Sequence, residues 1–310
     1  MKAVRLHQRG GPEQIVVEEA PRPAPAAGEV RVRVRAAAIT PGELTWDATY
    51  QHADGSPRLP TIPGHDVAGI VDVLGPGVTD VAIGDAVYAL VNFPRDGSAA
   101  EYVVIPAGDV APAPRTIDPV HAAAVPLSAL TAWQGLFDHG RLAVGQRALI
   151  HGASGGVGGY AVQLAHWHGA HVIATASARN AQSVRNLGAE EVIDYATTRF
   201  EDVVRDVDLV FDTVGGDMLA RSFAAIRPGG TVVSIAGVPD KTRAADAGVT
   251  GIFFIVRPSR ADLQQIASLI DAGHLRATVQ EVFPLARARE AFVRSMAGHL
   301  TGKIVLRVDA

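Results

Sequence analysis

The sequence predicts an α/β protein that combines a doubly wound parallel sheet with a second, β-rich domain. In the first third of the chain, apolar and polar residues alternate, as Val30, Val32 and Val34 do with arginines. A period of two is typical of half-buried strands. Farther along, short apolar runs alternate with segments of helical periodicity. Strands separated by helices form a parallel sheet with helices on both faces.

The composition limits the classes of function. A chain of 310 residues, 48% of them hydrophobic, is long enough to bury two cores. The net charge of −4, with mixed signs, gives no basic patch for nucleic acid and no polybasic patch for a membrane. The absence of cysteine excludes disulfides, thiolate nucleophiles and cysteine-ligated zinc. The first residues lack the apolar core of a signal peptide, so a cytoplasmic protein is expected.

The β-rich part is predicted from apolar stretches separated by turns that contain glycine and proline. Strands are expected at 30–35, 67–73 and 85–91, with turns such as Gly75-Pro76-Gly77. The stretch Ala-Pro-Ala-Pro at 111–114 is stiff, and we predict that it is a connector near the domain boundary.

In the α/β part, each strand is a short apolar run and each helix is a periodic segment beside it. The predicted order is helix 119–138, strand 147–151, helix 157–168, strand 171–176, helix 178–187, strand 191–194, strand 208–212, helix 217–226 and strand 231–235. The remaining elements are expected as strand 251–256, helix 260–272, helix 286–297 and strand 303–308.

A glycine-rich turn at 152–158 lies between a predicted strand and a predicted helix. This placement predicts a dinucleotide-binding turn, in which the pyrophosphate sits at the positive N-terminus of the helix. Gly155 would let the backbone approach the phosphates, and Gly158 would let the helix pack closely on the strand. The usual first glycine is replaced by Ala153, and a plain glycine-rich turn without a ligand is the alternative.

The end of the second strand of this part decides between NADPH and NADH. A fold built for NAD carries an acidic residue about 20 positions beyond the glycine turn. Here the strand ends at Ser177, and Arg179 follows. A hydroxyl and a guanidinium would bind a 2′-phosphate that a carboxylate would repel, so we predict NADPH. A helix N-cap serine followed by a solvated arginine is the alternative.

Motifs spread over nearly the whole chain resemble one family. They are PGHDVAGIVDVLGPGV (63–78), GDAVYAL (84–90), GSAAEYVVIP (97–106), AAAVPLSALTAW (122–133), GASGGVG (152–158), LGAEEVIDY (187–195), DTVGG (212–216) and the terminal TGKIVLRV. Together they are similar to the zinc-free quinone oxidoreductases and zeta-crystallin-like proteins of the medium-chain dehydrogenase/reductase superfamily. The resemblance implies a GroES-like catalytic domain from 1–116 and 257–310 and a Rossmann NADP-binding domain from 117–256. It also implies hydride transfer from NADPH to quinones or α,β-unsaturated carbonyls.

The resemblance also bears on zinc. Zinc-dependent members hold the metal with a cysteine, a histidine from a Gly-His-Glu motif and a second cysteine or equivalent. Here Thr40 stands at the first cysteine position, His65 remains, and the second cysteine falls in the stretch PLSALTAW. One imidazole, with at most one carboxylate, is short of the three protein ligands that catalytic zinc needs. We therefore expect no metal and an activity that survives chelation.

By the same resemblance, Thr40, Trp46, Tyr50 and His65 are the residues expected to face the substrate, and Phe254 is a further pocket residue. Hydride transfer leaves negative charge on a substrate oxygen, which needs a donor. The Tyr50 phenol could donate a hydrogen bond and deliver a proton. Alternatively, Trp46 and Tyr50 only line the pocket with apolar surface, and solvent supplies the proton.

The family motifs imply the coenzyme contacts as well. They are Thr131, Ser154, Gly155, Gly156, Val157, Ser177, Arg179, Tyr195, Val214, Gly215, Ile235, Ala236, Gly237, Phe253, Phe254 and Ile255. Lys303 could reach the coenzyme from the last loop, or it is a solvated lysine. Tyr195 could equally be an ordinary core residue.

Two further functions remain open beside an NADPH-dependent quinone or enone reductase. One is an NADPH-binding structural or sensor protein with little turnover, and the other is a pathway-specific biosynthetic enoyl reductase. The family contains monomers and dimers, and an edge strand at 251–256 could form a homodimer.

Overall fold

A computed structural model of the chain describes residues 1–52, 54–298 and 300–308. The chain divides into two compact units, which are Met1–Leu127 with Arg257–Ala310 and Ser128–Val256. The first is rich in strands and the second is an α/β unit, so the predicted fold class is confirmed.

The strands run through both units. They are β1 (Lys2–Leu6), β2 (Ile15–Glu19), β3 (Glu29–Ala38), β4 (Asp66–Leu74), β5 (Ala86–Leu90), β6 (Tyr102–Pro106), β7 (Ala111–Pro112), β8 (Arg147–His151), β9 (His171–Ala176), β10 (Glu191–Asp194), β11 (Val207–Asp212), β12 (Ile226–Ser234), β13 (Thr250–Phe253), β14 (Val279–Pro284) and β15 (Lys303–Arg307).

The α-helices are α1 (Asp47–Tyr50), α2 (Pro119–Ala123), α3 (Pro126–Trp133), α4 (Gly156–Trp167), α5 (Ala181–Asn186), α6 (Phe200–Val203), α7 (Gly216–Ser222), α8 (Lys241–Ala247), α9 (Arg260–Asp271) and α10 (Ala288–Met296). Short 3₁₀ helices cover Pro12–Gln14, Pro41–Thr45, Ala107–Asp109, Ala178–Asn180 and Leu285–Arg287, and a π-helical segment covers Gln134–His139. Within the described part of the chain, no helix combines the length and the apolar character needed to cross a membrane.

In the first unit, the main sheet has the order β14-β15-β3-β4-β5-β7, and β6 also pairs with β3. The long strand β3 explains why the period-two pattern is so clear. Its Val30, Val32 and Val34 are fully buried, whereas the arginines between them are half-buried. The C-terminal strand β15 pairs antiparallel with β3 and parallel with β14, so it belongs to this sheet.

The chain passes from one unit to the other at two points. The second point lies between Val256 and Arg257. The first lies after Leu127, later than the 116/117 boundary inferred from the sequence. The physical reason is that α2 packs against β3 and β4, which keeps this helix in the β-rich unit.

The second unit contains a parallel sheet with the order β10-β9-β8-β11-β12-β13. From β8 the chain adds β9 and β10 on one side and then β11, β12 and β13 on the other, so the strand order reverses between β8 and β11. Ligands of such sheets bind outside the carboxyl ends of the strands at this switch point. The glycine-rich turn joins β8 to α4 and therefore lies at this edge.

The single helix expected at 119–138 is wrong, because this stretch contains three consecutive elements. Helix α2 ends before Pro126, which opens α3, a position where proline's missing N–H costs nothing. Helix α3 then continues into the π-helical segment Gln134–His139. The apolar residues extend through all three elements, so their periodicity did not reveal the breaks.

Candidate active site

The glycine-rich turn has the geometry that a dinucleotide requires. Gly152 adopts a left-handed conformation (φ +71°), and Gly155 is the N-cap of α4. A Cβ atom at Gly158 would lie 2.2 Å from the carbonyl oxygen of Gly152, so only glycine allows the helix to pack this closely. At Gly155 the nearest atom would be 3.3 Å away. Space is therefore left at the helix N-terminus, where phosphate oxygens are bound by backbone N–H groups.

The residues expected at the 2′-phosphate lie together at the ends of two neighbouring strands. Ser177 follows β9 and Tyr195 follows β10, and the strand ends Ala176 and Asp194 are paired in register. Ser177 occupies an N-cap position, but its side chain makes no capping hydrogen bond. Arg179 is exposed two residues later. Tyr195 is 55% exposed, so it is not the core residue that the alternative required.

This region is also connected to the glycine-rich turn. The Asn180 side-chain amide donates to the Ser154 hydroxyl at 3.1 Å. The Ala153 N–H donates to the carbonyl oxygen of Thr175 at 3.2 Å. The expected pyrophosphate and 2′-phosphate contacts are thus held beside each other.

Two more of the expected coenzyme loops are held by a buried acid that sequence reasoning missed. The Asp212 carboxylate, at the end of β11, accepts hydrogen bonds from the N–H groups of Val214 and Gly215 at 3.1 Å and from the Ser234 hydroxyl at 2.7 Å. The Ser234 oxygen in turn accepts from the N–H groups of Ala236 and Gly237, at 3.1 and 3.2 Å. Asp212 and Ser234 therefore fix the loops 214–215 and 235–237. The signal in the sequence was an acid directly at the end of a buried strand.

The remaining expected contacts of this unit differ in exposure. Thr131 is buried in α3. The Phe254 ring is also buried and lies 4.4 Å from the imidazole of His139, between ring centroids. This burial favours a packing role for Phe254 over the expected pocket role. Phe253 and Ile255 are exposed.

In the first unit, four ionisable side chains that are nearly inaccessible to solvent form a second cluster. Glu43 and Asp66 are 0% exposed, His65 is 3% exposed and Lys303 is 6% exposed. They come from the 3₁₀ helix Pro41–Thr45, from the start of β4 and from the start of β15. Residues far apart in the chain are thus brought together by the pairing of β3 with both β4 and β15.

His65 and Glu43 face each other within this cluster. The His65 Nδ1 lies 3.1 Å from the carbonyl oxygen of Val91, so Nδ1 carries the proton and donates it. The other ring nitrogen, Nε2, lies 3.8 Å from the Glu43 Oε2, which accepts the N–H of Gly64 at 2.7 Å. Burial lowers the pKa of His65 to about 4 and raises the pKa of Glu43 to about 7. The imidazole is therefore neutral at neutral pH.

Lys303 is paired with an acid and a hydroxyl. Its ammonium nitrogen lies 3.0 Å from the Asp66 Oδ2 and 3.2 Å from the Thr40 Oγ1. The other Asp66 oxygen accepts the N–H of Leu127 at 2.6 Å. Lys303 is therefore a buried, ion-paired residue of the first unit and not the solvated lysine of one expectation.

Aromatic rings border the imidazole. The ring centroid of Trp46 lies 5.8 Å from that of His65 and 5.3 Å from that of Phe93, and the His65 and Phe93 centroids are 4.8 Å apart. Trp46 and Phe93 are both half-buried. Such rings provide an apolar surface for a flat substrate. Phe93 was missed because no motif or periodicity distinguishes it in the sequence.

The structure gives Tyr50 a structural role, which corrects the expected proton delivery. Its ring is buried, and its hydroxyl lies 2.9 Å from the carbonyl oxygen of Leu44 and 3.3 Å from that of Gly10. A hydroxyl has only one proton to donate, and these carbonyls accept it.

The donors in this cluster do not fit a catalytic zinc ion. An ammonium group, and not a metal ligand, contacts Asp66 and Thr40, and the Glu43 carboxylate accepts a backbone N–H. Only the imidazole of His65 offers a nitrogen ligand here. Over residues 1–52, 54–298 and 300–308, no group of three or more histidine, aspartate or glutamate side chains is arranged to hold a metal ion.

Comparison with known families matches both parts of the chain. The model described as "Alcohol dehydrogenase GroES-like domain" matches residues 26–115, and the model described as "Zinc-binding dehydrogenase" matches residues 187–306. The second description refers to zinc, but the side chains around His65 described above are not a set of ligands that suits this metal.

Similar proteins cover almost the full chain. A 2-haloacrylate reductase from Burkholderia sp is 33% identical and covers 99% of both chains. An NADPH-dependent alkenal/one oxidoreductase of Arabidopsis thaliana, described as chloroplastic, is 35% identical and covers 90% of this chain and 72% of that protein. The solved structure of a quinone oxidoreductase from Coxiella burnetii superposes with a TM-score of 0.92 at 29% identity, covering 100% of this chain and 99% of the other.

Proposed function

Since this chain belongs to the quinone oxidoreductase type of medium-chain dehydrogenase/reductases, we propose that it reduces quinones or α,β-unsaturated carbonyls with NADPH and without zinc. It is an oxidoreductase that uses a pyridine nucleotide and a small-molecule substrate. The observation that carries the proposal is the contact of the Lys303 ammonium with Asp66 and Thr40, in a cluster whose donors do not suit zinc.

The residues of this cluster suit the reduction of a conjugated system. When bound, NADPH supplies the hydride. The substrate oxygen then becomes an enolate or phenolate, which is stabilised by a hydrogen-bond donor placed beforehand. Thr40 provides a hydroxyl backed by an ammonium, and Trp46 and Phe93 provide an apolar wall. Relatives named for haloacrylate, alkenal/one and quinone substrates support this class of acceptor.

The proposal is tested by NADPH consumption over a panel of quinones, enones and haloacrylates, with protein treated with a chelator. We expect turnover of at least one class, with or without the chelator. Turnover that is lost on chelation and restored by zinc would contradict the zinc-free mechanism. NADPH binding without turnover of any member would favour the alternative of a structural or sensor protein. Turnover of an enoyl thioester added to the panel, and of no other member, would favour the biosynthetic enoyl reductase.

We also propose that the coenzyme is NADPH, and Arg179→Ala tests this. The variant is expected to bind NADPH about ten- to a hundredfold more weakly, because one charge-assisted hydrogen bond to the 2′-phosphate is lost. NADH affinity should stay almost unchanged. The measurement is the ratio of the two dissociation constants, with Arg185→Ala as a matched control on the neighbouring helix α5. Wild-type protein that binds NADH as tightly as NADPH would show that the 2′-phosphate site is wrongly assigned.

Two further expectations stay proposals. A homodimer is supported by β13, whose only strand partner in the described sheet is β12, so that its other edge is unpaired; light scattering of the purified protein would test it. A cytoplasmic location also stays a proposal, and fractionation of cells that express the protein would test it.

A further inference from the structure

The buried ammonium of Lys303 needs an explanation beyond the fold. Removing an ammonium from water costs several kcal/mol, which a carboxylate such as Asp66 offsets only in good geometry. Replacing a buried ion pair by apolar residues is often neutral or stabilising. Strands β15 and β4 are also joined through β3, which pairs with both of them. Joining the two strands is therefore not a sufficient reason for burying this ion pair, since apolar residues would stabilise the fold equally well.

The second contact of the ammonium indicates what the ion pair does. Lys303 donates to the Thr40 Oγ1 at 3.2 Å, and Thr40 is half-buried at the start of the 3₁₀ helix Pro41–Thr45. An oxygen that accepts a hydrogen bond from a cation becomes a better donor through its own proton, because successive hydrogen bonds polarise one another. The effect is larger where the local dielectric constant is low, as it is beside three other buried side chains.

We propose that Lys303 is a positioning residue that polarises the Thr40 hydroxyl, and that Thr40 donates a hydrogen bond to the substrate oxygen that becomes negative on reduction. Asp66 holds the ammonium in place through its Oδ2, and the N–H of Leu127 fixes the Asp66 carboxylate. No covalent bond forms in this step, and the Thr40 proton stays on its oxygen. This inference rests on the proposed reductase function and names the group that stabilises the anion.

The test removes the ammonium of Lys303 in two variants, one that keeps the Asp66 carboxylate and one that replaces it by an amide. Lys303→Met removes the ammonium, and the double variant Asp66→Asn/Lys303→Met removes both charges while an amide oxygen can still accept the N–H of Leu127. Both variants are expected to lose about ten- to a hundredfold in kcat, because a charge-assisted contact of the anionic state is lost. KM for the coenzyme should not change. Lys241→Met, in the exposed part of α8, is the matched control and should keep the wild-type kcat.

The role of Thr40 is tested in the same series. Thr40→Val should lower kcat as much as Lys303→Met does, and Thr40→Ser should restore it. Combining Thr40→Val with Lys303→Met should add little, because both changes remove one chain of hydrogen bonds. If the double variant Asp66→Asn/Lys303→Met recovers the wild-type kcat, or the losses of Thr40→Val and Lys303→Met multiply, the proposal is overturned.

A measurement without turnover separates this inference from the reductase function. 4-Nitrophenol resembles the phenolate product, and its absorbance reports its ionisation. Lys303 and Glu43 contact Thr40, Asp66 pairs with Lys303, His65 lies beside Glu43, and the charge of Arg58 acts on His65. Wild-type protein should lower the pKa of bound 4-nitrophenol by about one pH unit, as expected for one charge-assisted contact, and Lys303→Met and Thr40→Val should abolish this. If 4-nitrophenol has the same pKa in the presence of all three proteins, either because it does not bind or because binding leaves its pKa unchanged, the inference is overturned. This holds even if the substrate panel shows reductase activity.

Discussion

Glu43→Gln is expected to stabilise the protein at alkaline pH more than at acidic pH. In the folded protein, burial raises the pKa of Glu43 from 4.5 to about 7. Between these values the folded state binds more protons than the unfolded state, so the free energy of unfolding falls as pH rises through this window. Glutamine carries no charge and can still accept the N–H of Gly64. The stabilisation by the substitution should therefore grow by roughly 2–3 kcal/mol between about pH 5 and pH 8.

Chemical denaturation of both proteins at several pH values measures this difference. Because only the change with pH is compared, any constant loss of hydrogen bonding cancels. His65 acts in the opposite direction, because its pKa is lowered to about 4. Its contribution to the free energy of unfolding therefore rises with pH between about 4 and 6.5. Both proteins contain His65, so this contribution cancels in the comparison. Glu290→Gln makes the same chemical change at an exposed position and should show no such growth. A stabilisation by Glu43→Gln that is independent of pH would contradict a buried, protonatable Glu43.

Substitutions of two glycines in the nucleotide turn are expected to affect coenzyme affinity and the free energy of unfolding to different extents. Gly155→Ala adds a methyl group 3.3 Å from the carbonyl oxygen of Gly152, a tight contact, at a φ of −77° that alanine tolerates. The loss of stability should be smaller than that of Gly158→Ala, whereas NADPH affinity should fall by about a hundredfold, because the methyl group blocks phosphate contacts worth roughly 1.5–3 kcal/mol each. Gly158→Ala places its methyl group 2.2 Å from the Gly152 oxygen, and should also lose about 1–3 kcal/mol of stability.

Denaturation of the coenzyme-free protein and titration with NADPH give the two readouts. Gly159→Ala is the matched control, since its methyl group would lie 3.6 Å from the Leu187 side chain, an ordinary contact. It should alter neither quantity by much. Gly155→Ala protein that binds NADPH like the wild type would show that the phosphates do not approach this turn.

Part of the fold could be predicted from the sequence, because local patterns of apolar residues and turns determine it. The strands β9 and β10 match the predicted 171–176 and 191–194, since each is an apolar run closed by a turn. The strands β1 and β14 were not predicted, because neither shows a clear alternation of buried and exposed residues: β14 is half-buried almost throughout. Helix breaks within 119–138 were hidden by continuous burial.

The candidate sites also include residues that local sequence predicts and residues that only the fold brings together. The glycine turn and the loop after Ser177 follow from local sequence, because neighbouring residues form them. The contact of Lys303 with Thr40 joins residues 263 positions apart, so only the pairing of strands reveals it. The buried Glu43 stands in the unremarkable stretch Pro-Gly-Glu-Leu, where an acid is expected to be solvated.

The central claim is that this chain delivers a hydride to a conjugated carbon without a metal. The most direct measurement follows deuterium from NADPH labelled at C4 of the nicotinamide into cyclohexenone, with chelator-treated protein. We expect a saturated ketone that carries deuterium on the former β-carbon. Deuterium on the carbonyl carbon of an allylic alcohol, or transfer that occurs only after zinc is added, would contradict it.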